Sequence, residues 1–354
     1  MSSNDQANQV ATPTGQVTLG GYRVLDAIGP GRLGNIFHAV QDEFGQHVSL
    51  KVFPRGLDEA PDELMQVQRE LRVAVQLDHP YVVRTFQVGR IADTYFLAME
   101  NLEGGESLAS RLGRDGKLPY ATACEIARDV AMALEHLHDH DVIHRDVSPE
   151  NIWITPSGAA KLMEFSAARD PLAYLDAPDG EHDGAAAANN PDEMVGTYRY
   201  MAPEQALDPA LADARSDIYS LGCVLYQCLT GHPPFENANP TRLMMRHAME
   251  LPQPASEANG DVPAAVSKTL DSMFAKDPNE RFQSAKDVVW AMEQFFEAAA
   301  AAAVEVVELS PEYVEWCREK NAQPAADLEN AVGMSPELVS FLDVMTERRR
   351  QRKR

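Results

Sequence analysis

The chain has 354 residues, 44% of them hydrophobic, and a formal net charge of −23, so it can bury one large core or two. Its acidity argues against nucleic acid and against an anionic membrane surface as partners, because like charges repel. No run approaches the ~20 apolar residues of a bilayer-spanning helix, and the polar opening MSSNDQANQVATPTGQ lacks the basic segment of a signal peptide, which points to the cytoplasm.

Residues 1–19 are polar and punctuated by Gly, Pro and Thr, and read as a disordered tail. From Tyr22 the pattern becomes strand-like in YRVLDAIG, IFHAV and HVSLKVF, with a turn at Asp42-Glu43-Phe44-Gly45 between the last two. Leu64, Val67, Leu71 and Val75 recur at helical spacing and predict a helix over 62–77, followed by strands at 82–89 and 95–99. Beyond Glu103-Gly104-Gly105 long helical periodicities lie near 121–139, 215–230, 241–249, 263–275 and 284–296. Cys124, Cys223, Cys228 and Cys317 show no metal-ligand spacing and read as reduced, buried thiols. An alanine-rich spacer covers 298–309. Two helices, 310–320 and 335–350, are each announced by Ser-Pro-Glu, with Ser as cap and Pro at the first helical position. The chain closes on RRRQRKR, six positive charges on an acidic body, which reads as a docking element or as a solvated helix end.

Polar residues concentrate at a few places along this frame. Gly29-Pro30-Gly31-Arg32-Leu33-Gly34 lies between two predicted strands, a context that points away from a dinucleotide fold. Its glycines let backbone N–H groups approach phosphates, and Pro30 removes one such donor. Lys51 has apolar strand neighbours in VSLKVF, a costly setting unless paired, and Glu70 on the following helix is the natural partner. Asp146 and Asn151 stand five residues apart in IHRDVSPENI, and Glu164 follows one hairpin later in KLMEFS.

This order resembles the protein kinases, in particular the bacterial, eukaryotic-like serine/threonine class: a glycine-rich loop, a VAIK lysine, an HRDxxxxN catalytic loop and a DFG metal loop. GTYRYMAPE at 196–204, SDIYSLG around Asp217 and DPNERF around Arg281 extend the resemblance, which covers about residues 22–296. It implies an α+β, bilobal fold: a kinase domain over 20–297 with a β-rich lobe at 20–100, a hinge at 100–104 and a helical lobe at 105–297, then the spacer and a helical tail over 310–354. ATP would lie against Gly29, Gly31, Gly34, Ile36, Lys51, Met99 and the backbone of Glu100 and Leu102. Asp146 would act as base, Lys51, Glu70 and Thr197 would support it, and Asn151 and Glu164 would hold Mg²⁺ or Mn²⁺. His144, Arg145, Phe165, Glu204, Asp217 and Arg281 would be structural, with His144 packed under Phe165 and Glu204 paired to Arg281.

Three departures bear on activity. Glu164-Phe165-Ser166 stands for Asp-Phe-Gly, with the carboxylate one methylene further out and a serine expected to restrict the backbone. Ser148 stands where a lysine usually follows the catalytic Asp. The expectation is an ATP-binding serine/threonine protein kinase of reduced activity acting on protein substrates, and the alternative is a pseudokinase serving as a nucleotide-binding or scaffolding module. No Ser or Thr occurs between Ser166 and Thr197, where Asp192 and Glu193 could supply a phosphate's charge permanently.

Overall fold

The computed structural model describes residues 10–11, 17–169 and 198–305. Thr197, the acidic pair Asp192 and Glu193, and the tail over 310–354 with its basic end lie outside the described residues. Residues 1–293 form one compact unit; of the second, 294–354, the described part is the end of one helix.

The N-terminal part is an antiparallel sheet of seven strands: β1 (Val10–Ala11), β2 (Val17–Leu19), β3 (Tyr22–Gly31), β4 (Gly34–Gln41), β5 (His47–Val52), β6 (Thr85–Ile91) and β7 (Thr94–Met99), in the spatial order β1-β2-β3-β4-β5-β7-β6. Alternation buries Ala39, Val48, Leu50, Phe96 and Ala98 with Leu19 and Tyr22 in one cluster. Helix α1 (Pro61–Ala74) carries Pro at its first position, where the missing N–H is harmless, and buries Val67, Glu70 and Val73. It stops short of the predicted 77. Val82 and Val83 are buried, and both contact Leu162: Val82 forms a bridge with it, and the Val83 N–H donates to its carbonyl. These two valines therefore fasten the sheet part to the helical part, and the strand proper begins only at Thr85.

Beyond the connection at 100–104 come β8 (Glu106–Ser107), α2 (Leu108–Asp115), α3 (Tyr120–His138), β9 (Ile152–Ile154) and β10 (Ala160–Leu162). Then follow α4 (Pro203–Leu207), α5 (Ala214–Thr230), α6 (Pro240–Met249), α7 (Ala255–Ala258), α8 (Ala264–Met273) and α9 (Ala285–Glu305). The architecture is the α+β arrangement expected, an antiparallel sheet followed by a mainly helical region. Among the described residues no helix is long and apolar enough to cross a membrane. Helix α5 begins with a capping box between Asp213 and Ser216 and ends at Gly231 in the left-handed conformation. It packs against α3, and Cys124 on α3 and Cys223 and Cys228 on α5 are buried. Burial pushes the thiols of Cys124 and Cys228 up to about 12, and that of Cys223 higher still.

Two carboxylates, the buried Asp217 and the partly buried Glu204, lock this helical part. Asp217 on α5 accepts the backbone N–H groups of His144 and Arg145 at 2.9 and 2.8 Å, and faces His138 Nε2 at 2.9 Å. Burial alone would raise its pKa; the bonds from His138 and His144 outweigh that and hold it below the usual range. Glu204 meets Arg281 through two bonds at 2.7 and 2.8 Å, while Arg281 also donates to the carbonyl of Ala275 at 2.7 Å. Replacing Arg281 by Ala removes the partner of Glu204 and the donor to the carbonyls of Ala275, Arg215 and Lys276, so unfolding stability should fall by about 3–5 kcal/mol. Arg281→Lys should recover little, because lysine cannot make the fork. Urea denaturation of the three proteins checks both statements.

Candidate active site

A cleft of about 1020 Å³ runs under the β3–β4 hairpin and over the segment between α3 and β10. The hairpin's strands pair as far as Gly31 opposite Gly34, so only Arg32 and Leu33 form the tip, and Leu33 takes a left-handed φ of 60°. A Cβ on Gly34 would come within 2.6 Å of the Val52 carbonyl oxygen, which pins the hairpin against β5. Gly29, Gly31 and Ile36 line the cleft with Leu102, Asp146, Ser148, Asn151, Met163 and Glu164.

At the cleft floor the Asn151 side-chain amide donates to the Asp146 carbonyl at 2.8 Å and to its carboxylate at 3.0 Å. The same carboxylate oxygen, Oδ2, receives Arg32 Nη1 from the hairpin tip at 2.6 Å. His144 is fully buried, lies edge-on to Phe165 at 5.6 Å, and accepts the Asp146 N–H on Nδ1. Arg145 has a left-handed φ of 64°, a conformation held by the Asp217 contact.

Beside this floor three charged side chains share one buried spot. Lys51 Nζ, 1% exposed, donates to Glu70 Oε1 at 2.6 Å and to Glu164 Oε1. Burial would lower the lysine's pKa, but the two carboxylates raise it. One cation faces two acids, and Glu70 is pushed up to about 8, first by burial and then by the charge of Glu164, against the pull of Lys51. Glu164 sits at a left-handed φ of 68°, where Asn and Asp are far more at ease than Glu. Ser166, expected to restrict the backbone, does not take a left-handed φ; it is buried, and its carbonyl accepts from Arg69. The serine therefore fits without backbone strain.

At the connecting strand end the backbone N–H groups have partners within the chain. Met99 is buried, but the Glu100 N–H donates to the Arg84 carbonyl at 2.9 Å, and its carboxylate pairs with Lys161 at 2.6 and 2.8 Å. The Leu102 N–H, expected to face adenine, donates to the buried hydroxyl of Ser49 at 2.9 Å. Ser49 was readable in the sequence, since it stands at the alanine of the VAIK pattern. Trp153 was also missed. It lines the cleft two residues beyond Asn151, its Nε1 has no partner among the described residues, and it lies so near Gly105 that a Cβ there would approach Nε1 to 2.3 Å. Nothing in the spacing announced the reach of Arg32 to Asp146.

Among the described residues no cluster of three or more His, Cys, Asp or Glu forms a self-contained metal cage. Asn151 and Glu164 offer oxygen ligands to one cleft, and Glu164 Oε2 is buried with no partner among the described residues. That set fits a hard divalent ion whose shell is completed by phosphate and water.

A strand-rich part with a glycine hairpin and a buried Lys–Glu pair, joined to a helical part carrying an Asp–Asn loop, defines a kinase-like architecture. The chain belongs to the protein kinase family: the protein kinase domain model matches residues 22–293. It is 34% identical over 272 residues to the serine/threonine-protein kinase PknB of Mycolicibacterium smegmatis, covering 75% of this chain and 41% of that one. It is 36% identical over 284 residues to PknD of Mycobacterium tuberculosis, covering 78% and 40%. A probable serine/threonine-protein kinase of Clostridium perfringens is 30% identical over 273 residues, covering 77% and 38%. The chain thus spans about two fifths of the length of the curated relatives it matches.

The raised pKa of Glu70 makes a test. Folded protein holds this proton from the ordinary 4.5 up to about 8, while the unfolded chain releases it near 4.5. The contribution is complete below pH 4.5 and is lost as pH rises through 8. In chelating buffer, the melting temperature should decline across that window, and Glu70→Gln should flatten the decline. Parallel curves for the two proteins would mean that Glu70 does not carry the proton.

Proposed function

We propose that this chain is an ATP-dependent serine/threonine protein kinase whose transfer rate is held down by Glu164. The observation that carries the reading is Asp146, fastened by Asn151 at the floor of one cleft and facing the glycine hairpin, with the Lys51–Glu70 pair beside it. The similarity to bacterial serine/threonine-protein kinases supports a protein hydroxyl as acceptor.

In this reading the hairpin backbone and Lys51 hold the phosphates, and Glu70 fixes Lys51. Asp146 takes the proton of a Ser or Thr hydroxyl as that oxygen bonds to the γ-phosphorus. The bond from γ-phosphorus to the β–γ bridging oxygen breaks, and ADP leaves with its electron pair. Mg²⁺ or Mn²⁺, when bound by Asn151 and Glu164, would offset phosphate charge. Glu164 places its carboxylate ~1.5 Å further from the backbone than aspartate would. It also spends one oxygen on Lys51 and sits in a backbone region that suits aspartate better.

Glu164→Asp should therefore raise kcat roughly ten- to a hundredfold, the scale of a misplacement near 1 Å. Transfer of radiolabel from ATP to a casein-like substrate checks this, with Asp146→Asn as the inactive control. An unchanged rate with nucleotide binding intact would remove the metal-geometry explanation.

A second reading, a pseudokinase that regulates a partner, draws on one observation. Three groups that would meet nucleotide already hold a partner within the chain: the Leu102 N–H is bonded to Ser49, one oxygen of Glu164 to Lys51, and one oxygen of Asp146 to Arg32. If adenine must displace the Ser49 hydroxyl, Ser49→Ala should tighten ATP binding about five- to tenfold, the worth of one net hydrogen bond near 1 kcal/mol. Calorimetric titration reads the change, and equal affinities would mean adenine does not use this N–H.

A further inference from the structure

We propose that Arg32 is a ligand of the γ-phosphoryl group, and that ATP draws it off Asp146, so that nucleotide arrival itself frees the base. The proposal rests on the kinase reading above and adds a residue and a partner exchange to it.

The first ground is charge. Glu63, Glu106, Asp146, Glu150 and Glu164 all line the cleft, and among the described residues Arg32 is the only Lys or Arg that does. Lys51, which holds the inner phosphates in that reading, is turned to Glu70 and Glu164 and does not line the cleft under the hairpin tip. A polyphosphate entering so acidic a cavity needs a cation facing it, and the hairpin tip supplies one. Ser148, two residues beyond Asp146 and buried, supplies none from below.

The second ground is geometry. Arg32 occupies the first position of a tip only two residues long, on a hairpin whose base is fixed by Gly34 against Val52. The backbone therefore has little freedom, and the long side chain is the part that can choose a partner. It now bonds Asp146 Oδ2 at 2.6 Å, with 23% of the arginine side chain and 12% of the aspartate side chain exposed. Asn151 contacts the same oxygen at 3.0 Å. With both bonds made, Oδ2 is committed and a guanidinium stands between the hairpin and the carboxylate, where an acceptor hydroxyl would have to come.

The third ground is competition. A γ-phosphoryl group delivered under the hairpin offers the guanidinium three oxygens and more negative charge than one carboxylate, in a geometry that suits the arginine fork. Arg32 then changes partner with no covalent step and no proton movement. Asp146 keeps Asn151 and becomes available to the acceptor hydroxyl. During transfer Arg32 follows the phosphoryl oxygens as the bond to ADP breaks.

The unaltered chain, Arg32→Ala, and the double variant Arg32→Ala with Ser148→Lys should be titrated calorimetrically with ADP and with the non-hydrolysable AMP-PNP, and assayed for transfer from ATP. Expected are an ADP affinity unchanged within about twofold in Arg32→Ala, an AMP-PNP affinity about tenfold weaker, and a kcat lower by roughly a hundred- to a thousandfold, the scale for losing one charge-stabilising donor. The double variant should regain most of the lost kcat. Equal affinities of the original chain and Arg32→Ala for AMP-PNP would overturn the proposal. So would a higher kcat in Arg32→Ala, which would make the arginine a plug. Equal losses for ADP and AMP-PNP would also overturn it, since they would indicate a misshapen hairpin. Should the original chain bind AMP-PNP and transfer nothing, the kinase reading fails while the AMP-PNP comparison still judges Arg32. Binding of neither nucleotide would overturn both.

Discussion

The ammonium of Lys51 sits between Glu70 and Glu164, and those two acids belong to segments far apart in the chain. One is on α1 in the strand-rich part; the other is 113 residues from the lysine, in the loop after β10. All three side chains are almost fully buried, where an ionised group is tolerable only with a partner. Such a cluster adds modest net stability, because desolvation offsets most of the attraction. Its effect is positional. The helix, the central strand and the loop must adopt one mutual arrangement, since any other leaves a buried charge uncompensated. The cleft has its shape because that arrangement is imposed on it.

Around this cluster the walls of the cleft are stiff and its contents exchangeable. Asp217 fixes the backbone at His144 and Arg145, and the tight approach of Gly34 to Val52 fixes the hairpin. Between them, Arg32, Ser49 and Lys51 bond to Asp146, the Leu102 N–H and Glu164, groups that would also meet a nucleotide, its metal ion or its acceptor. A nucleotide entering such a site trades hydrogen bonds one for one. Affinity then depends on the difference between two well-made sets of contacts, and small side-chain changes can shift it in either direction.

How far the sequence could be read follows from the range of each signal. The strands with alternating burial and helices such as α3 and α5 were legible, because periodicity and caps are local. The eight-residue α2 was missed, being too short to establish a period. Val82 and Val83 looked like a strand start because they are β-branched and apolar, yet they serve as a bridge between the two parts. At the site, the positions of Asp146, Asn151 and Lys51 were legible through motif order. The contacts of Arg32 and Ser49 were not, because each depends on where a distant segment lies: Asp146 is 114 residues away from Arg32, and Leu102 is 53 from Ser49. Ser166 shows the opposite error. A substitution that looks restrictive on paper is harmless when the backbone never enters the region that glycine alone favours.

The buried thiols carried by α3 and α5 have a consequence of another kind. Only a thiolate reacts readily with alkylating agents, and burial keeps Cys124, Cys223 and Cys228 protonated far above physiological pH as well as out of reach. Each becomes reactive only when the packing around it opens. The rate at which these three positions take up a label is therefore a clock for the opening of the helical core, counting excursions too rare for a melting curve to register.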